Sequence, residues 1–488
     1  MTTNDLFLSP PAAYRGKPFW AWNGKLTTDE IRRQVRVLQA MGLGGGFMHS
    51  RVGLATPYLQ DEWFDVVRAC CDECRKLGLE AWLYDEDRWP SGAAGGLVTC
   101  EPAYRHRHLV YQVQTPAGFA ATGDEVGVWL AKLHGNVAQG LRPYSEAAVE
   151  DGDSVLAFTV QVDAETPWHN GQTYLDTMNE EAVARFIEVT HEAYAERVLP
   201  EFDAAVVPGI FTDEPNHGHQ RVTPAGGQFS WTARLPEVFR ERYGYDLIPH
   251  LPELAYVVDD RIVSRVRRDF HDCLTHLFTA AFARQIGVWC DEHNLEHTGH
   301  VLEEPGLERQ TNVVGSAMRF YEHMQAPGID ILCGQGLARE GGSTPEWLTA
   351  KQCSSVKHQF GRRWMLSETY GCTGWHFTFA EHKAVGDWQA ALGVNLRCHQ
   401  KVDTMVDRPV HPLAQSALRQ NMPGSQKPFQ SSCGRRNPSL RIEPAAQTPP
   451  LIPLDLLGEN LFHHRCNMGR QGPLDTSALR FVPGNPCW

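Results

Sequence analysis

Eight short apolar segments, each ending in polar or charged residues and each separated from the next by a helical pattern, organise residues 14–400. They lie at 19–22, 44–49, 80–84, 209–212, 296–301, 329–333, 364–367 and 394–398. Repeated βα units build parallel sheets, and eight in succession is the number that closes a barrel. The pattern therefore predicts an α/β fold, a (β/α)8 TIM barrel over residues 14–400.

The intervening helices carry start and stop signals. Thr27 and Glu30 form a capping-box pattern ahead of Ile31, Val35 and Leu38, and Gly42 follows as a stop. Trp63, Val66, Val67, Cys70 and Cys74 repeat that logic before Gly78, and Thr378 with Glu381 caps a further helix. Between the third and fourth segments, period-two alternation predicts an inserted β-rich subdomain over 103–175. About fifty residues after the fourth segment read as an irregular excursion before a long helix that runs to Cys290. From 401 to 488 neither periodicity is sustained, which predicts an irregular or disordered tail.

The formal charge of -13 argues against nucleic acid, whose phosphates need clustered Lys and Arg. No apolar run approaches the roughly 18 residues of a membrane span, and Met1-Thr2-Thr3-Asn4-Asp5 lacks the basic-then-apolar order of a signal peptide, so no membrane partner and a cytoplasmic location are expected. Thirteen cysteines without a CxxC…CxxC pair, the nearest cluster being Cys70, Cys71 and Cys74 in an amphipathic helix, read as free thiols. Fourteen tryptophans offer faces that suit sugar rings, although most indoles fill cores.

A barrel of this type builds its active site from residues just past each strand. Here those residues are acidic: Tyr84-Asp85-Glu86-Asp87-Arg88-Trp89-Pro90, Thr212-Asp213-Glu214-Pro215, Leu302-Glu303-Glu304-Pro305 and Ser367-Glu368-Thr369. Glycosidic cleavage needs one carboxylic acid to protonate the leaving oxygen and one carboxylate to activate water or attack carbon. Glu214, Glu368 and Glu303 are the catalytic candidates. Trp22, Asn23, His49, Asp85, Trp89, Asp213, His300 and Trp375 are candidates to bind a carbohydrate substrate. The alternative reading of each acid is a helix cap or a partner for Arg88, Arg309 or Arg363. Metal-dependent hydrolysis is a rival, weakened because the first segment ends Trp20-Ala21-Trp22-Asn23 with no His-x-His pair. A non-catalytic sugar-binding protein is the second rival.

The run Phe19-Trp20-Ala21-Trp22-Asn23-Gly24, the segment Trp82-Leu83-Tyr84-Asp85-Glu86-Asp87-Arg88-Trp89-Pro90-Ser91-Gly92, and the motifs Phe211-Thr212-Asp213-Glu214-Pro215, Thr298-Gly299-His300 and Ser367-Glu368-Thr369-Tyr370-Gly371 resemble glycoside hydrolase family 106, the α-L-rhamnosidases. The resemblance covers roughly residues 14–400. It implies a barrel and an inverting mechanism, with Glu214 as acid and Glu303 or Glu368 as base. It implies no cofactor for the chemistry, with a calcium ion near the site in many members.

Overall fold

The computed structural model describes residues 3–259, 264–332, 346–371, 373, 377–400 and 402–403. Apart from Val402–Asp403, the expected tail lies outside the described residues, as does Trp375. Residues from Pro10 onward belong to one compact unit; outside it the helix Thr3–Leu8 is described. Among the described residues no helix is long and apolar enough to cross a membrane.

Within Pro10–Glu443 the fold is mixed α/β with curled, half-barrel sheets. The strands are β1 (Phe19–Gly24), β2 (Gly45–Leu54), β3 (Glu80–Tyr84), β4 (Arg107–Gln114), β5 (Glu125–His134), β6 (Val137–Pro143), β7 (Ser154–Val162), β8 (Gly209–Asp213), β9 (Arg221–Thr223), β10 (Gly226–Trp231), β11 (Val257–Val258), β12 (Glu296–His300), β13 (Ala326–Asp330), β14 (Leu366–Thr369), β15 (Leu396–His399) and β16 (Val402–Asp403). One sheet is parallel throughout, in the order β15-β14-β13-β12-β8-β3-β2-β1-β16. The eight segments foreseen from sequence are thus neighbours in chain order.

Residues on one face of these strands, Phe19, Phe47, Trp82, Tyr84, Phe211, Leu366, Leu396 and Cys398, gather in a single cluster inside the curl. The Phe19 ring lies 4.6 Å from that of Phe211, three strands away. The other face meets the helices. Helix Thr28–Ala40 starts where the Thr27 hydroxyl accepts from Glu30 N–H, and it buries Ile31, Val35 and Leu38. Helix Asp61–Leu77 buries Trp63, Val66, Val67, Cys70 and Cys74 and ends at Gly78, whose φ of 65° is the left-handed cap glycine adopts freely. Phe379–Ala391 carries the capping box of Thr378 and Glu381. The long helix expected up to Cys290 is instead Arg265–Phe278 and Arg284–Glu292 joined by a π-turn at Thr279–Ala283.

A second sheet has the order β11-β6-β5-β7-β4-β10-β9. Strands β4 to β7 come from the stretch read as an insertion, but β9, β10 and β11 come from the excursion read as irregular. That expectation is corrected: Leu109 pairs with Phe229, and Tyr111 stacks on Phe158 at 5.5 Å and on Phe229 at 5.7 Å. Phe229 then packs edge-on against Phe270 of helix Arg265–Phe278 at 5.9 Å.

Strand six is also displaced. It runs Ala326–Asp330 rather than 329–333, so Asp330 is its last residue. Close packing between strands sets hard limits elsewhere. Gly45 has φ 138°, and a Cβ there would lie 1.8 Å from the Glu80 carbonyl oxygen. Gly45→Ala should cost at least about 2 kcal/mol, the scale of a strained backbone residue, seen as a lowered midpoint in denaturant titration. An unchanged midpoint would contradict this packing.

Candidate active site

The carboxyl ends of four parallel strands, β8, β12, β13 and β14, converge. Ladder register sets His300 beside Asp213, and Asp330 beside Glu368. His300 Nε2 lies 2.8 Å from Glu368 Oε2 and 3.6 Å from Asp213 Oδ1. One ligand atom from each of Glu214, His300 and Asp330 also falls within a 4.8 Å group. Glu304, just past β12, completes the set: it accepts the Tyr321 hydroxyl and, at 2.7 Å, the Asp330 N–H.

Five carboxylates around one buried imidazole define the electrostatics. Burial opposes charge on His300, but the Glu368 hydrogen bond and the surrounding Asp330 and Asp213 charges raise it well above an ordinary histidine, so the ring is an imidazolium. Asp213 is held below the usual carboxylate range: burial works against this, and the His49 ring, the His300 charge and the Tyr84 hydroxyl, 2.7 Å away, outweigh it. Glu214 moves the other way. Burial first, then Asp213, Glu368 and Glu304, push it up to about 8 despite His300, so it carries a proton at neutral pH. Burial and the Glu368 charge also raise Asp330. Glu304 rises to about 6, mainly by burial.

Glu214 sits at φ 49°, Glu303 at 57° and Tyr370 at 67°, left-handed values that non-glycine residues hold only where the surroundings enforce them. The turn after β8 thereby leaves the strand path immediately beyond Asp213. Glu368 is held from both sides, by His300 and by Gln400 Nε2 at 3.0 Å from Oε1. Both partners donate, so this group is set up as an acceptor.

The other sequence candidates are placed differently. Glu303 turns outward to Arg309 at 3.0 Å, and its neighbour Glu304 is the one in the cluster. Asp85 is fully buried and receives the hydroxyls of Ser91 and Thr212, each at 2.6 Å, which ties β3 to β8 and leaves it no face toward a sugar. Trp22 is 0 % exposed, 5.3 Å from Trp63 on the helix side of β1, and so cannot stack on substrate. Asn23 is half-buried at the end of β1. His49 stacks on Tyr84 at 4.0 Å; its Nδ1 lies 2.6 Å from the Ser50 carbonyl oxygen, and its Nε2 lies 3.2 Å from Arg51 Nη1 and 3.7 Å from Asp213 Oδ2. Burial lowers His49. Trp89 is half-buried, edge-on to Trp168 at 4.5 Å and beneath the Arg51 guanidinium at 4.8 Å. Asp330, Glu304, Tyr84, Arg51 and Gln400 belong to this neighbourhood and are not among the sequence candidates, although Tyr84 and Glu304 stand in the strand-end runs quoted above.

A calcium ion can be tested against these donors. Hard cations take oxygen ligands, and buried Asp330 Oδ1 has no hydrogen-bond partner. Asp330 Oδ1 is thus the donor open to such an ion, whereas both Glu368 oxygens are engaged by His300 and Gln400.

A parallel α/β sheet with its polar side chains collected at the carboxyl ends of the strands belongs to the architectures that bind ligands on that face. The chain is a member of glycoside hydrolase family 106: that family's α-L-rhamnosidase profile matches residues 165–436, more than half of it. The fold is similar to that of the rhamnosidase from Novosphingobium sp. PP1Y, at TM-score 0.57 and 17% identity, over 83% of this chain and 56% of that one. The chain thus spans little more than half the length of that enzyme. Weaker alignments, at 10% identity, are to a morphinone reductase (TM-score 0.30, 79% of this chain and 81% of that one) and a β-glycosidase (TM-score 0.29, 80% and 86%). No curated protein matches the chain.

Proposed function

We propose that the protein is an inverting, α-L-rhamnosidase-like glycoside hydrolase. The observation that carries this is the opposed state of two acids in one cluster: Glu214 pushed up until it holds its proton, and Glu368 held as an acceptor by His300 and Gln400. Divergent environments for two carboxyls are how an acid and a base are assigned. Glu214 gives its proton to the glycosidic oxygen as the bond from that oxygen to the anomeric carbon breaks. Water attacks that carbon from the opposite face, and Glu368 takes the water's proton, so configuration inverts and both carboxyls exchange charge state. Glu303, paired with Arg309, is the weaker candidate for base.

Asp330, through its open Oδ1, is the residue that would hold calcium, which when bound would neutralise carboxylate charge and coordinate sugar hydroxyls. His49, Arg51, Asp213 and Trp89 are assigned to substrate contact. We read the parallel sheet as a closed (β/α)8 barrel. Support comes from the Lys17 N–H, which donates to Arg397 O at 2.9 Å, and from pairing of β16 with Trp20 and Ala21, three residues after β15. The described cysteines are free and, except Cys100, buried, which supports a reducing, cytoplasmic setting.

The test is hydrolysis of an aryl α-L-rhamnoside followed by proton NMR. The first-formed sugar should be the β-anomer. No turnover on any aryl glycoside would sink the hydrolase reading; an α-anomer formed first would remove only the inversion.

A further inference from the structure

Away from the carboxylate cluster, a second group of ligating side chains lies where β4 begins. The sequence Arg105-His106-Arg107-His108 puts two histidines two residues apart in extended backbone, hence on one face. Strand β7 runs antiparallel to β4 with Val162 opposite Arg107, so the next residue, Asp163, emerges beside His106, and its N–H donates to His106 O at 3.0 Å. The Asp163 carboxylate spans both rings, with Oδ2 2.7 Å from His106 Nδ1 and Oδ1 2.9 Å from His108 Nδ1. One ligand atom from each of the three lies within 4.8 Å of the others.

The far side of His106 gives independent information. Its Nε2 lies 3.3 Å from the His217 carbonyl oxygen, an acceptor only, so Nε2 carries the ring proton. Nδ1, on the edge of the ring that faces the Asp163 carboxylate, is then the position at which a proton or a metal ion is held. A metal-bound histidine ordinarily donates its other N–H to a backbone carbonyl or a carboxylate, as His106 does here. His106 is 6% exposed, whereas His108 and Asp163 are partly open to solvent, leaving a side free for water.

We propose that His106, His108 and Asp163 bind a divalent cation of the zinc class, with water as fourth ligand. Two imidazoles and one carboxylate suit zinc; ligand bonds of about 2.0–2.2 Å would need the three side chains to part by roughly half an ångström around the ion. The site sits where the second sheet meets the turn after β8, because His217 is three residues past Glu214 and its N–H donates to Val313 O at 3.0 Å. The ion would anchor that turn. It would take no part in the chemistry of the cleft.

The experiment titrates metal-free, full-length protein with Zn²⁺, and separately with Co²⁺ as a spectroscopic probe. It does not depend on turnover, so its result is separable from the hydrolase reading. One equivalent should be lost in His108→Asn, with affinity down at least about 100-fold, beyond the 10–100-fold typical of an outer-shell partner. The Co²⁺ adduct of the wild type should show the intense visible bands of four-coordinate cobalt, absent from the variant. Should His108→Asn not fold, Asp163→Asn at the solvent edge decides, with the same loss expected. Unchanged stoichiometry and Co²⁺ spectrum in these variants, or no binding by the wild type, would overturn the proposal.

Discussion

Glu368→Gln should lower kcat by about 10³-fold, within the 10²–10⁴ range for a general acid–base group, on aryl and alkyl rhamnosides alike. Water is deprotonated in the same displacement whatever group departs, so loss of the base is felt on both substrate classes. The amide is isosteric and keeps an oxygen for Gln400 or His300, which makes the change one of charge more than of shape. His300 would lose its carboxyl partner, now 2.8 Å away, and with it the largest influence favouring its charged form. Steady-state kinetics on both substrate classes, with circular dichroism to establish folding, provide the readout. A loss smaller than tenfold, or one confined to poor leaving groups, would move the base elsewhere, with Glu303 the first place to look.

How much of this was legible in the residues differs from strand to strand. Buried parallel strands read as continuous apolar runs bounded by turns, and β3 appears at 80–84 as expected. Strand six does not, because Ala326-Pro327-Gly328 carries two residues that ordinarily mark a turn. In the structure Gly299 pairs with Pro327, and a Cβ on Gly328 would come within 2.4 Å of the Gly299 carbonyl oxygen. Those residues are there for close strand approach. Misplacing the strand by three residues hid Asp330, which reads as interior in a strand 329–333 and stands at the mouth in Ala326–Asp330.

The same two-sided burial explains Trp22. A strand covered on both faces shows no polar alternation to mark which parity points inward, and in β1 it is Phe19 that faces the inner cluster while Trp20 bonds Gln34 of the first long helix at 2.8 Å. For the Glu303-Glu304 pair, sequence supplied the acids but not the turn that sends the first to Arg309 and the second inward. Strands β9 and β11, of three and two residues, are too short for any periodicity to declare them. Gln400 carried no signal, since an uncharged amide becomes informative only once its acceptor is known.

The second large effect expected is that of Glu214→Gln, and its diagnostic value lies in being uneven. Proton donation matters in proportion to the basicity of the departing oxygen. A methyl rhamnoside or a rhamnosyl disaccharide leaves as an alkoxide unless protonated, and should lose about 10²–10⁴-fold in kcat/KM. A dinitrophenyl rhamnoside departs as a stabilised anion and should lose less than about tenfold, the gap between the two being the acid's share of the barrier. Glutamine preserves the volume in a turn whose backbone is fixed at φ 49°, and replaces a carboxyl that is already neutral near pH 7, so ground-state electrostatics around Asp213 and Glu368 change little. The loss can therefore be read as loss of a transferable proton. Equal losses on both substrates would show that Glu214 supports the site without donating to the leaving group, and the acid would then have to be sought among Asp330 and Glu304, the other carboxyls raised in this cluster.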